Sequence, residues 1–150
     1  MYPDERVAHF ITDNFIPARV HVKDDAAEFQ RFGERYNAQW TPTLLELDPD
    51  GEERHRVEGF LPAEDLLGQL ALGLGHTAFK RGDWQTAEHH FRTVAKRHAD
   101  SEMAPEAVYW AGVSRYKATG DAKALGETER ALSAKYATSS WAKKASVWKS

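Results

Sequence analysis

The feature that most restricts the fold of this chain is a spacing of 37 to 38 residues that recurs through its second half. Gly75 and Gly112 lie 37 apart, Gly82-Asp83 and Gly120-Asp121 lie 38 apart, and Ala104-x-x-Ala107 returns as Ala142-x-x-Ala145 at the same interval, as Trp110 does in Trp148. A period of this length belongs to helix pairs, each of which buries its apolar face against its neighbours. Breaks at Arg81-Gly82-Asp83, His98-Ala99-Asp100-Ser101, Thr119-Gly120-Asp121 and Tyr136-Ala137-Thr138-Ser139 delimit the helices. Two pairs and a further half are expected over residues 75–150.

The first half follows another rhythm. Val7, Phe10, Ile11 and Phe15 recur at helical spacing after Pro3-Asp4, so a helix is expected to end near Asn14, ahead of Pro17. From Ala18 to Val22, Val20 and Val22 alternate with Arg19, His21 and Lys23, and that period of two predicts a short strand. Asp24 and Asp25 open a helix with the apolar face Phe29, Phe32 and Tyr36. Thr43 to Leu47, the turn Asp48-Pro49-Asp50-Gly51 and a return over Val57 to Phe60 predict a β-hairpin. Leu61-Pro62-Ala63-Glu64-Asp65 then starts a helix with the buried stripe Leu66, Leu67, Leu70 and Leu74.

Charge and composition exclude several partners. A net charge of −3 provides no positive field for nucleic acid or anionic lipid, and no apolar run reaches the roughly 20 residues that span a bilayer. The first residues, MYPDERVAHF, lack the features of a signal peptide, so no membrane and a cytoplasmic location are expected. There is no cysteine, so thiol–disulfide chemistry has no atom in this polypeptide to work with.

Other chemistries find no starting residues. The seven histidines include no pair at i, i+4, and no metal or other cofactor is expected. Gly73-Leu74-Gly75-His76-Thr77-Ala78 has dinucleotide-fingerprint spacing but follows a Leu-rich helical run where a strand is required, so its glycines read as close helix packing. Asp48 and Asp50 fit a hairpin turn better than a calcium loop. The pairs Lys80-Arg81, Lys96-Arg97 and Lys143-Lys144 read as solvated helix faces, and Trp84, Trp110, Trp141 and Trp148 as packing wedges at helix junctions. No catalytic residue is assigned.

Two resemblances give these elements a context. Gly75, Ala87 and Phe91, twelve and sixteen residues apart, resemble the small, small and aromatic positions of the tetratricopeptide family. In the second copy Gly112 is kept, while Leu125 and Glu129 stand where an alanine and an aromatic are expected. In the first half, Phe32-Gly33, Trp40-Thr41-Pro42-Thr43-Leu44-Leu45, Asp50-Gly51 and Val57-Glu58-Gly59 come in the order of the later two thirds of the thioredoxin family, a resemblance covering roughly Tyr2 to Leu74. It implies that Pro42 is cis and that the residue before it presents free backbone groups to an extended peptide.

The same resemblance implies a first strand and a Cys-x-x-Cys turn upstream of Met1. In the family that strand runs between those expected at Val20 and Leu44. Its absence leaves three outcomes: the flanking strands pair directly, a second copy supplies the pairing, or the edges stay open.

The expected fold is α/β plus α: a partial thioredoxin-like sheet with helices over residues 1–74, then an all-α tetratricopeptide-like array over 75–150. The expected function is a non-catalytic protein-interaction module. Trp40, Thr41 and Pro42 would bind an extended peptide segment or protein, with a homo-oligomer through the incomplete sheet as a further possibility. The alternative is the downstream fragment of a thiol–disulfide oxidoreductase whose Cys-x-x-Cys segment precedes this chain.

Overall fold

The computed structural model describes residues 4–149, which form two compact units, Met1–Leu67 and Gly68–Ser150. The division falls inside one helix, upstream of the boundary at residue 74 that the sequence suggests.

In the first unit, helix α1 spans Glu5–Asn14, with the Asp4 carboxylate accepting from Arg6 N at 2.9 Å as its N-cap and Val7 fully buried. Helix α2 spans Ala26–Tyr36 and stops where Asn37 takes a left-handed conformation with φ 51°. Strands β1, Thr43–Leu47, and β2, Glu53–Glu58, make a two-stranded antiparallel sheet with a bulge between Glu46 and Leu47.

Asp48 builds the turn between them. Its Oδ1 accepts from Asp50 N at 2.9 Å and Glu52 N at 3.0 Å, and its Oδ2 accepts from Arg54 Nε at 2.8 Å. Burial alone would raise this carboxyl, but those donors hold it below the usual aspartate range. Gly51, at φ 79°, supplies the positive backbone angle the turn requires. The Tyr36 hydroxyl donates to Gly51 O at 2.9 Å, tying α2 to the hairpin.

Two sequence expectations change here. Residues 18–22 form no strand. A ladder needs a neighbour, and this segment has none among the described residues, so its polar groups close a local turn instead. Asp25 Oδ2 accepts from His21 N at 2.9 Å, and His21 Nδ1 accepts from Asp24 N at 3.2 Å. Direct pairing of that segment with β1 is therefore not what occurs. The hairpin return also begins at Glu53 rather than Val57 and ends before Phe60, because pairing starts as soon as the Asp48 turn closes and Gly59, at φ 88°, ends it.

Helix α3, Ala63–Lys80, crosses into the second unit, which continues with α4 (Trp84–Arg97), α5 (Met103–Thr119), α6 (Lys123–Lys135), α7 (Ser140–Ala145) and a 3-10 turn at Ser146–Trp148. Asp83 caps α4 by accepting from Thr86 N, and Gly120, at φ 71°, ends α5. Gly73 and Gly75 lie within α3, where no strand immediately precedes them. A Cβ on Gly75 would stand 2.6 Å from the ring of fully buried Phe91. Trp141 and Trp148 pack against a small core of Leu132, Ala142 and Ala145.

The second pair follows the same packing in a different register from the one expected. A Cβ on Gly112 would stand 1.8 Å from Thr128 Oγ1, and Ala124 and Thr128 are both buried. Thus Ala124 and Thr128, twelve and sixteen residues after Gly112, occupy the positions expected of Leu125 and Glu129. Glu129 is itself buried, its Oε1 accepting from Ser133 Oγ at 2.6 Å.

Gly112→Ala should cost about 1–3 kcal/mol of stability by overpacking, since Thr128 Cβ and Cγ2 also lie within 3 Å of the added carbon and no rotamer clears all three atoms. Adding Thr128→Ala removes Oγ1 and Cγ2 but keeps the Cβ 2.7 Å away, so it should recover only part of that loss in urea unfolding. A neutral Gly112→Ala would contradict the close approach of α5 and α6.

Candidate functional site

The open side of β1 is the candidate site of the first unit. Gly59 N donates to Pro42 O at 2.8 Å, which puts Pro42 and Gly59 opposite each other at the end of the hairpin. Hydrogen bonding alternates along an antiparallel strand, so Leu44 and Glu46 turn their backbone groups toward β2, whereas Thr43 and Leu45 turn theirs to the other edge. No strand covers that edge among the described residues.

The three residues singled out from sequence lie together at the start of this edge. Trp40 is 68% exposed, and its carbonyl accepts from Thr43 Oγ1 at 2.6 Å, which folds the chain into β1. Thr41 and Pro42 are exposed, and the peptide bond between them is cis. Phe60, 76% exposed, follows Gly59 at the same end of the hairpin, so two large apolar rings stand in water within two residues of the Pro42–Gly59 pair.

Glu46, on the same strand, is a buried acid that its sequence context does not single out. It lies on the sheet face shared with Leu44 and Val57, opposite His55 on β2, and is only 3% exposed. Neither carboxylate oxygen has a hydrogen-bond partner. Burial alone pushes its pKa up to about 8. The available signal is one acid set in the run Thr-Leu-Leu-Glu-Leu, where apolar residues occupy both faces of the strand.

In the second unit, α4, α5 and α6 leave an open groove of about 520 Å³ whose lining includes Arg92, Ala95, Lys96, Ala111, Gly112 and Ala124. Among the described residues no three His, Cys, Asp or Glu side chains are placed to hold a metal ion, and no helix is long and apolar enough to cross a membrane.

Residues 1–73 match the family model of a thioredoxin-like domain. That match carries the domain alone, and no tetratricopeptide family model matches the helices that follow. Neither the curated proteins nor the solved structures contain a match to the chain.

Proposed function

We propose that this chain is a non-catalytic protein-interaction module, in which the thioredoxin-like unit takes an extended peptide segment along the open edge of β1 beside Trp40, Thr41 and Pro42. The observation that carries the reading is the outward-turned backbone of Thr43 and Leu45 next to the exposed Trp40 ring. An edge of this kind gives affinity through main-chain hydrogen bonds, and side chains of alternate residues give selectivity. The helical unit, as a tetratricopeptide-like array, offers a second protein-binding surface on its grooves.

Self-association through the same edge is a second mode of this reading. A concentration-dependent rise in mass by light scattering would support it, and a strictly monomeric species would remove it. No cysteine is present, so this polypeptide has no thiol for disulfide exchange. Catalytic reduction of insulin by the purified polypeptide would overturn the non-catalytic part, whereas an in-frame Cys-x-x-Cys about ten codons upstream of Met1 in the coding DNA would favour the oxidoreductase alternative.

The site itself is tested with a fluorescein-labelled, seven-residue β-rich peptide read by anisotropy. Trp40→Ala removes a solvent-exposed ring and should leave the near-ultraviolet circular dichroism of the core unchanged while weakening the peptide at least about tenfold, as a central aromatic anchor does. Thr41→Pro deletes one N–H and should weaken it as well. Unchanged affinity in both variants would discard the site.

A further inference from the structure

We propose that the strand which pairs with the open edge of β1 carries a lysine or arginine directly across from Glu46. This rests on the binding reading above and names the chemistry of the partner at that site.

Glu46 is an acid placed where an acid has nothing to bind. Both oxygens are buried without a partner, although a buried carboxylate is ordinarily neutralised by a cation or by several donors. On the β2 side its cross-strand neighbour is His55, and along its own face the adjacent β1 residue is Leu44. No strand stands on the open-edge side of Glu46 among the described residues, so an added strand brings a donor from that side, displacing what closes the two oxygens from water in the free chain.

Strand geometry then fixes which partner residue arrives there. The Glu46 backbone faces β2, so toward the open edge Glu46 occupies a non-hydrogen-bonded position. In an antiparallel addition, that is the position where opposed Cα atoms come closest, about 4.5 Å apart, with their side chains on the same face. The residue opposite Glu46 therefore meets its carboxylate at the range where opposite charges and hydrogen bonds act. Lysine and arginine bring three or more donors and a positive charge, which matches a carboxylate with both oxygens unpaired.

Charge also distinguishes a foreign segment from a second β1. Between Tyr36 and Arg54 the chain has no lysine or arginine, so two β1 strands paired edge to edge place no cation at Glu46. Charge complementarity favours a basic extended segment over self-pairing of this strand.

Four labelled seven-residue β-rich peptides test the inference with the full chain: central Lys, central Leu, central Glu, and central Leu with Lys at the neighbouring position, which points to the other face. The central-Lys peptide should bind at least about tenfold more tightly than the other three. Glu46→Leu should reverse the order of central Lys and central Leu, and Glu46→Gln, which keeps the side-chain shape, should erase most of the difference. Equal binding of all four peptides, or a lysine preference that persists in Glu46→Leu, overturns the inference while leaving edge binding intact. Failure of every peptide to bind, or binding unaffected by Trp40→Ala, overturns the edge reading and this inference with it.

Discussion

Phe91→Ala is expected to lower the unfolding free energy of the helical unit by about 3–5 kcal/mol, the usual cost of truncating a large ring in a closed core. Phe91 has no exposed surface, and Ala87 and Val94, on the same helix, are equally closed to water. The ring sits against the backbone of α3 at Gly75 and meets the His76 ring edge-on with centroids 5.1 Å apart. What makes this truncation expensive is the glycine. Residues around a cavity relax by moving side chains into it, and at Gly75 there is no side chain to move. Urea unfolding followed by far-ultraviolet circular dichroism measures the change. A loss below about 1 kcal/mol would mean that the ring is not the wedge between α3 and α4. Phe91→Leu, which retains most of the volume, should cost clearly less than alanine, and this separates cavity formation from loss of the aromatic contact with His76.

The same contact explains how much of this fold is legible in the residues. Helix limits are legible because punctuation has a local cause. Asp83 caps α4 with its own carboxylate, Gly120 takes a left-handed angle after α5, and Asp48 closes the hairpin turn with two backbone amides. The partners of the second helix pair are legible only to within one residue. The loop signals repeat at 38 while the glycines repeat at 37, and packing follows the glycines, so Thr128 meets Gly112 just as Phe91 meets Gly75.

A strand at residues 18–22 is not decidable from its own alternation, because a strand exists only with a neighbour to pair with. The site divides in the same manner. Trp40, Thr41 and Pro42 are visible as a motif, and β1 places them at the head of an open edge. Glu46 is invisible as a site residue, since in a strand with leucines on both faces the burial of one acid depends on what covers its face.

Raising the pH from 5 to 8 is expected to destabilise the thioredoxin-like unit, and Glu46 supplies the reason. Its folded-state pKa is raised to about 8 from the ordinary 4.5, with burial as the cause. The folded state therefore holds a proton that the unfolded chain releases. Stability from this group is complete below about pH 4.5, and it declines as the pH climbs toward 8. Every tenfold difference in proton affinity between the folded and unfolded chain is worth about 1.4 kcal/mol, so the full decline is on the order of 3–5 kcal/mol as an upper figure. Asp48 and Glu53 act in the other direction. Their carboxyls lie below the ordinary range, so their contribution is present above it and is lost only in more acid solution. Maximum stability near pH 5 follows from the two opposing signs. Urea unfolding at pH 5 and pH 8, read at the Leu44 and Val57 amide resonances, isolates this unit from the helices. Glu46→Gln should flatten the dependence, and Glu46→Leu should add about 2–4 kcal/mol at pH 8 while changing little at pH 5. Equal stability of the native chain at the two pH values would show that the Glu46 carboxyl reaches water or a donor in solution. It would also remove the partnerless buried acid from which a basic partner strand was inferred.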